Sequence, residues 1–233
     1  MKNQYLATST TAYNSNETLT ASESPFVEAD GVLLYKENCK TPEFLNSSSS
    51  ITLFGESVIV DHFVLLFPER ETLTNYADAL VKYGAQITEG PGLWPDDFCS
   101  NFDALPQDIS TYFLAALMPS GVIFVLLVPH APNDKLDILL NKRGVNAVHH
   151  VALRVNDIYA AAAAWQKKGF IPLSMTPQDD GCLCQWFLGN SAEQIIELIY
   201  RRCGGRETFS CPNIAGLRLS EGELTKMKHL SLR

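Results

Sequence analysis

"AVHHVALRVNDI", residues 147–158, carries two adjacent histidines just after its start, runs on through alternating apolar positions and closes on Asn156-Asp157-Ile158. Such alternation specifies a strand, and an aspartate just past its end is a preferred helix N-cap. The stretch that follows, "DIYAAAAAWQKKGF" (157–170), is alanine-rich and carries Gly169 where a helix would stop. Two more strand-like runs come next, "CLCQWFLG" (182–189) and "EQIIELIYR" (193–201), with the turn pair Gly189-Asn190 between them.

The first half of the chain has the same order. "VIVDHFVLLFP" (58–68) reads as a strand closed by proline, and "ETLTNYADALVKYGAQI" (71–87) places Leu73, Tyr76, Ala77, Leu80 and Val81 at helical spacing before Gly84. A Pro/Gly/Asp-rich segment, "EGPGLWPDDF" (89–98), reads as a loop, and "STYFLAAL" (110–117) and "GVIFVLLVP" (121–129) read as strands. The repeat predicts an α+β fold built by duplication of a βαβββ unit, with module one at about 58–132 and module two at about 145–202. Residues 1–50 are rich in Ser, Thr, Asn and Glu, apart from the island "GVLLYKE", and are expected to form a polar leader with one edge strand. Residues 51–233 are then one domain, with 203–233 as a C-terminal extension.

Side chains alternate faces along a strand. By that count His149, Val151, Leu153 and Val155 lie on the face under a helix, where His149 packs or makes a structural hydrogen bond, while His150, Ala152 and Arg154 face the other way. The same sorting puts Asp61, Phe63, Leu65 and Phe67 on the packing face and Val60, His62, Val64 and Leu66 opposite, so His62 and His150 are equivalent. In the last strand Glu197 shares a face with Ile195, Ile199 and Arg201. A mid-strand carboxylate is costly to bury unpaired; Arg154 or Arg201 could compensate it, and so could a metal. Two imidazoles and a carboxylate on one concave face form the facial triad of non-haem Fe(II) oxygenases, which leaves coordination positions open.

With these motifs the chain resembles the vicinal oxygen chelate (glyoxalase fold) superfamily over roughly residues 58–202, and within it the catalytic domain of 4-hydroxyphenylpyruvate dioxygenase. "VDHFVLLFPE", "LMPSGVIFVLLVP", "HHVALRVNDI", "CLCQWFLG" and "IIELIYRR" stand in that family's order. The resemblance implies a half-barrel of two paired βαβββ modules, Fe(II) held by His62, His150 and Glu197, a small-molecule substrate and O2, and a homodimer. It implies that Gln185 and Phe187 face the substrate, Gln185 with a catalytic role, and that Phe209 and Asn213 belong to the substrate side of a C-terminal gating segment. The position of a fourth ligand in glyoxalase and epimerase relatives falls near Val125, which favours a three-ligand dioxygenase acting on a 2-oxo acid or an aromatic compound. A metal-dependent lyase or isomerase, an extradiol dioxygenase and a non-catalytic binding protein of the same fold remain as alternatives. Phe113 replaces an expected Ser and Leu127 or Val128 an expected Asn, so tyrosine breakdown itself is not implied.

Composition narrows the partners. The formal net charge is -8 and the basic residues are scattered, which argues against nucleic acid. No apolar run reaches the roughly 20 residues needed to cross a bilayer, so the chain reads as cytoplasmic and without a membrane partner. Six cysteines are too sparse for a disulfide scaffold and match no zinc knuckle, so they are expected to be ordinary thiols.

Overall fold

The computed structural model describes residues 26–29, 32–35, 50–100, 110–143, 148–203 and 211–220. The fold is α+β, as the repeat predicts. Its strands are β1 (Phe26–Ala29), β2 (Val32–Tyr35), β3 (Ser50–Leu53), β4 (Glu56–Leu66), β5 (Gln86–Trp94), β6 (Thr111–Leu117), β7 (Ile123–Pro129), β8 (Val148–Arg154), β9 (Ile171–Pro172), β10 (Gln178–Asp179), β11 (Leu183–Gly189) and β12 (Ile195–Arg201). The helices are α1 (Arg70–Lys82), α2 (Lys135–Arg143), α3 (Ile158–Gln166) and α4 (211–220).

A ten-stranded sheet runs β10-β11-β12-β8-β4-β7-β6-β5, with β3 on β4 and β9 on β11. The first strand of each module pairs in parallel with the last strand of the same module, β4 with β7 and β8 with β12. The two first strands join antiparallel and stitch the modules together. That arrangement puts β7, β4, β8 and β12 side by side at the centre, with equivalent positions of the two modules facing one another.

Both faces of the sheet are covered, which is why its strands read as nearly unbroken apolar runs. On one face Leu73, Ala77 and Leu80 of α1 and Ile158, Ala162 and Trp165 of α3 bury against Phe63, Phe124, Val151 and Leu198. On the other, Leu136 and Leu140 of α2 and Ala215 of α4 pack with Val64, Trp94, Phe113 and Leu127. The Asp157 side chain accepts hydrogen bonds from the Tyr159 and Ala160 amides and caps α3 as expected, a contact worth about 1 kcal/mol.

Several expectations are corrected. Residues 89–94 belong to strand β5, not a loop: Gly92, Leu93 and Trp94 pair with Phe113, Tyr112 and Thr111, and register shifts absorb the Gly90-Pro91 step. Gly90 has φ 76°, and a Cβ there would lie 2.5 Å from the Phe113 carbonyl, so only glycine lets the strands approach. Helix α2 between the modules was not anticipated, although Leu136 and Leu140 are spaced four apart and Asp134 accepts the Asp137 amide at its start. The leader holds two strands, β1 and β2, paired with each other. Four of the six cysteines are not thiols. Cys99 pairs with Cys211 and Cys182 with Cys203, leaving Cys184 free and buried. Spacing along the chain could not reveal this, because the fold brings together partners that are 112 and 21 residues apart. No helix among the described residues is long and apolar enough to cross a membrane.

Candidate metal centre

His62 on β4, His150 on β8 and Glu197 on β12 converge from three adjacent central strands. His62 Nε2 lies 3.1 Å and His150 Nε2 3.0 Å from Glu197 Oε2, and the two nitrogens are 3.4 Å apart. All three side chains are buried. Ala152 is the cross-strand partner of both His62 and Glu197, so the residue between them carries only a methyl group.

The backing of each imidazole comes from a break in the strand pairing. Val60 pairs with Leu153 and His62 with Ala152, which leaves Asp61 as an extra residue on β4; Val64 pairs with His150 and Leu65 with Val148, which leaves His149 as an extra residue on β8. A bulge frees its extra residue from the two-face alternation. Asp61 and His149 are therefore not packing residues, as period two predicts for them. Asp61 Oδ1 accepts from His62 Nδ1 at 3.0 Å, and the Nδ1 atoms of His149 and His150 share a hydrogen bond of 2.6 Å. Each ligand histidine is held at Nδ1 by the residue before it and presents Nε2 to the centre.

Asp61 also takes both arginines that the sequence offered to Glu197. Arg201 donates through Nε and Nη2, and Arg154 does the same, to a carboxylate with no exposed surface. Burial raises the Asp61 pKa, but the bonds from Arg201 and His62 outweigh it and hold the group well below the usual carboxylate range. Glu197 is likewise pushed up by burial and pulled down to about 2 by the two histidines. His62 is lowered by burial but raised to about 9 by Glu197 and Asp61, whereas burial carries His150 down to about 4. In the metal-free site His62 thus carries a proton on each nitrogen, and His150 is neutral.

These donors suit a divalent cation. Their separations of 3.0 to 3.4 Å span the range between an octahedral face and a tetrahedral edge, about 3.0 and 3.4 Å for ligand bonds near 2.1 Å. His62 Nε2, His150 Nε2 and a Glu197 oxygen are an ordinary ligand set for such ions. Val125, beside Val64 in the register, offers no fourth ligand.

The triad forms one wall of a largely apolar cavity with about 550 Å3 of empty space, its mouth included. Phe113, Val125 and Leu127 line it from module one and Phe187 from module two, while Ile214 and Leu217 of α4 lie across it. Helix α4 is fastened there by the Cys99–Cys211 disulfide and by the Asn213 amide, which donates to Asp180 Oδ2 and the Leu183 carbonyl. Asn213 therefore seats the helix and is not among the cavity-lining residues. Gln185 and Phe187 do line it: Gln185 Nε2 donates to Glu197 Oε1 at 2.5 Å, and the Phe187 ring lies 4.8 Å from that of His150. Phe209 falls outside the described residues.

No protein-family model and no curated protein matches the chain. Among solved structures, a mutant of 4-hydroxymandelate synthase from Streptomyces coelicolor superposes with a TM-score of 0.51 at 18% identity, over 72% of this chain and 55% of that one. The chain has the vicinal oxygen chelate fold. It spans just over half the length of that synthase. Methylmalonyl-CoA epimerase from Mycobacterium tuberculosis aligns at 17% identity over 62% of this chain and 89% of its own, with a TM-score of 0.44. A hypothetical protein from Bacillus halodurans aligns at 15% over 65% and 97%, with a TM-score of 0.42.

Sequence reasoning missed Asp61, His149, Trp94 and Arg218 as site residues. The first two had a signal: Asp61-His62 and His149-His150 are paired polar residues inside strands buried on both faces, where alternation would turn one of each pair into a hydrophobic layer. A bulge resolves that conflict. Trp94 sat in the misread loop, and Arg218 carried no local pattern.

Proposed function

We propose that this chain is a non-haem Fe(II)-dependent dioxygenase acting on a small 2-oxo acid or aromatic substrate with O2. The reading is carried by one observation: three buried ligand atoms converge on an apolar cavity while the position nearest a fourth ligand is Val125. A lyase or isomerase of this fold would want a protein carboxylate at that position to move a proton. An ion at the centre would supply Lewis acidity and one-electron chemistry at positions the protein leaves open.

The chain's own groups do the rest. Asp61 and His149 fix the ring orientations, and His62 must release the proton on Nε2 before that atom can bind a metal. Gln185 Nε2 holds Glu197, while its Oε1, which makes no hydrogen bond among the described residues, is the acceptor for a polar group of the substrate. Phe113, Leu127 and Phe187 seat an apolar or aromatic body, and α4 keeps water out. The two disulfides favour an oxidising compartment over the cytoplasmic setting expected from composition.

The test is metal analysis of protein loaded anaerobically with Fe(II), with Glu197→Ala as control, followed by O2 uptake with a panel of 2-oxo acids and catechols. The proposal expects about one iron per chain, lost in the variant, and O2 consumption with a 2-oxo acid or an aromatic compound. Bound metal without O2 consumption would indicate a lyase or isomerase; no bound metal would leave a binding protein.

A further inference from the structure

Polar side-chain atoms buried without a hydrogen-bond partner are rare in folded chains, and two of those among the described residues are Gln185 Oε1 and Trp94 Nε1, both on residues that line the cavity. They come from different modules. Gln185 is on β11 and Trp94 on β5, and the triad strands β12, β8 and β4 lie between them in the sheet order. Gln185 is bonded to the ligand Glu197, whereas Trp94 stands on a strand three places from β4 and takes no part in the metal chemistry.

Trp94 lies on the cavity face of its strand. Its register partner is Thr111, and residues directly opposite across two strands share a face. Thr111 and Phe113, two residues apart on β6 and so also on one face, both line the cavity. The indole is only 2% exposed and packs in the cluster that holds Val64, Phe113 and Leu127, whose side chains offer it no acceptor. The Thr111 hydroxyl donates to the Val128 carbonyl at 3.0 Å. A buried indole N–H ordinarily finds an acceptor, so this one is set for an atom that enters the cavity.

We infer that Trp94 is a recognition residue, and that its N–H donates to an uncharged oxygen (a hydroxyl, ether or carbonyl) on the body of the substrate. An indole N–H is a donor only and carries no charge, so it does not repay the desolvation of an anion, and the acceptor it suits is neutral. The apolar walls at Phe113, Leu127 and Phe187 take the body by shape, and Trp94 adds the polar point that separates a ring bearing an oxygen substituent from a hydrocarbon of the same outline. This deepens the dioxygenase reading and rests on it only in calling the ligand a substrate.

The test is titration calorimetry of the full chain, with and without Fe(II), using anisole and ethylbenzene, which have nearly the same shape and differ in one oxygen. The ratio of the two affinities, anisole over ethylbenzene, should fall about fivefold in Trp94→Phe, the worth of one neutral hydrogen bond. A ratio unchanged within about twofold, or no binding of either probe, would overturn the assignment. Should Trp94→Phe fail to fold, the indole N–H resonances of 15N-labelled, metal-free wild type decide the matter. Trp94, Trp165 and Trp186 supply three signals, and one should move downfield with anisole and not with ethylbenzene. Identical shifts with the two probes would overturn the assignment, since their ring currents are alike. The probes carry no chelating group, so a chain that binds no iron would still show the ratio, and a chain that binds iron without showing it would refute the role of Trp94 alone.

Discussion

Asp61 accepts a hydrogen bond from the histidine that follows it, His62 Nδ1 lying 3.0 Å from Asp61 Oδ1. Neighbours in a regular strand point to opposite faces, and a bulge at Asp61 is what brings the two together. The second module repeats the device with different chemistry, since His149 is the extra residue and touches His150 at the equivalent nitrogen. Both modules thus carry the same backbone irregularity, and it is the irregularity that orients both imidazoles.

Asp61→Asn keeps the shape of that residue and removes its charge. Outer partners of ligand histidines typically matter by about 10–100-fold in metal affinity, and a loss in that range is expected here. Arg201, with a side chain 3% exposed, would also lose its ion pair, so the metal-free protein should be less stable by about 3 kcal/mol. Metal titration and denaturant unfolding on the same variant read the two effects, and wild-type affinity would show that Asp61 serves only its arginines.

His149 and His150 should separate cleanly. With a metal on Nε2, neutral His150 must carry its proton on Nδ1 and donate it to His149, which makes His149 a positioning residue. His149→Ala is expected to weaken metal binding about tenfold while still saturating at one ion per chain, whereas His150→Ala should not saturate. Equal loss in both variants would mean that His149 is itself a ligand.

Metal uptake should release a proton. Glu197 and Asp61 outweigh burial and hold His62 protonated to about 9, so metal affinity should rise about tenfold per pH unit between pH 7 and 8, and calorimetry in buffers of different ionisation heat should count about one proton. The same shift fixes the sign for stability. A folded-state pKa above the unfolded value near 6.5 stabilises metal-free protein fully below that pH, and this contribution disappears as the pH rises through about 9. His150, lowered to about 4 chiefly by burial, acts in reverse and removes stability as the pH falls from about 6.5 to 4. Metal-free protein should therefore be most stable near pH 6.5, and metal-loaded protein should lack the alkaline decline. A flat pH profile for both forms would contradict the pairing of His62 with Glu197.

The triad was legible because His62 and His150 occupy equivalent first strands of a repeat and Glu197 is a lone carboxylate within the apolar last strand beside His150, and equivalence survives any error in local geometry. Strand β5 was hidden because Gly90 and Pro91 are turn residues by composition, and only its pairing with β6 shows that they lie within a strand. The bulges and disulfides depend on tertiary neighbours. Period-two counting assumes unbroken pairing, so it misplaced Asp61 and His149, the two residues at which pairing breaks.

Helix α4 should loosen when its tether is cut. The Cys99–Cys211 bond closes a loop of 112 residues, and a loop of that size constrains the unfolded chain by about 4–5 kcal/mol. In a Cys99→Ser, Cys211→Ser double variant, hydrogen exchange at residues 211–220 should accelerate while β4, β8 and β12 stay protected. Unchanged protection of α4 would show that Asn213 and the apolar contacts suffice to seat it.

Ala152 sets the spacing of the centre. It is the cross-strand partner of His62 on one side and Glu197 on the other, and it has no exposed surface. A larger side chain there must occupy space that the two ligands need, because residues opposite one another in a sheet share a face. Ala152→Leu should therefore cost about 1–3 kcal/mol through overpacking and abolish stoichiometric metal binding, while Ala152→Gly should lose some stability and keep the ion. Metal analysis beside circular dichroism separates these outcomes. Full metal occupancy in folded Ala152→Leu would mean that the strands move apart easily, and that the convergence of three ligands does not depend on a small residue between them.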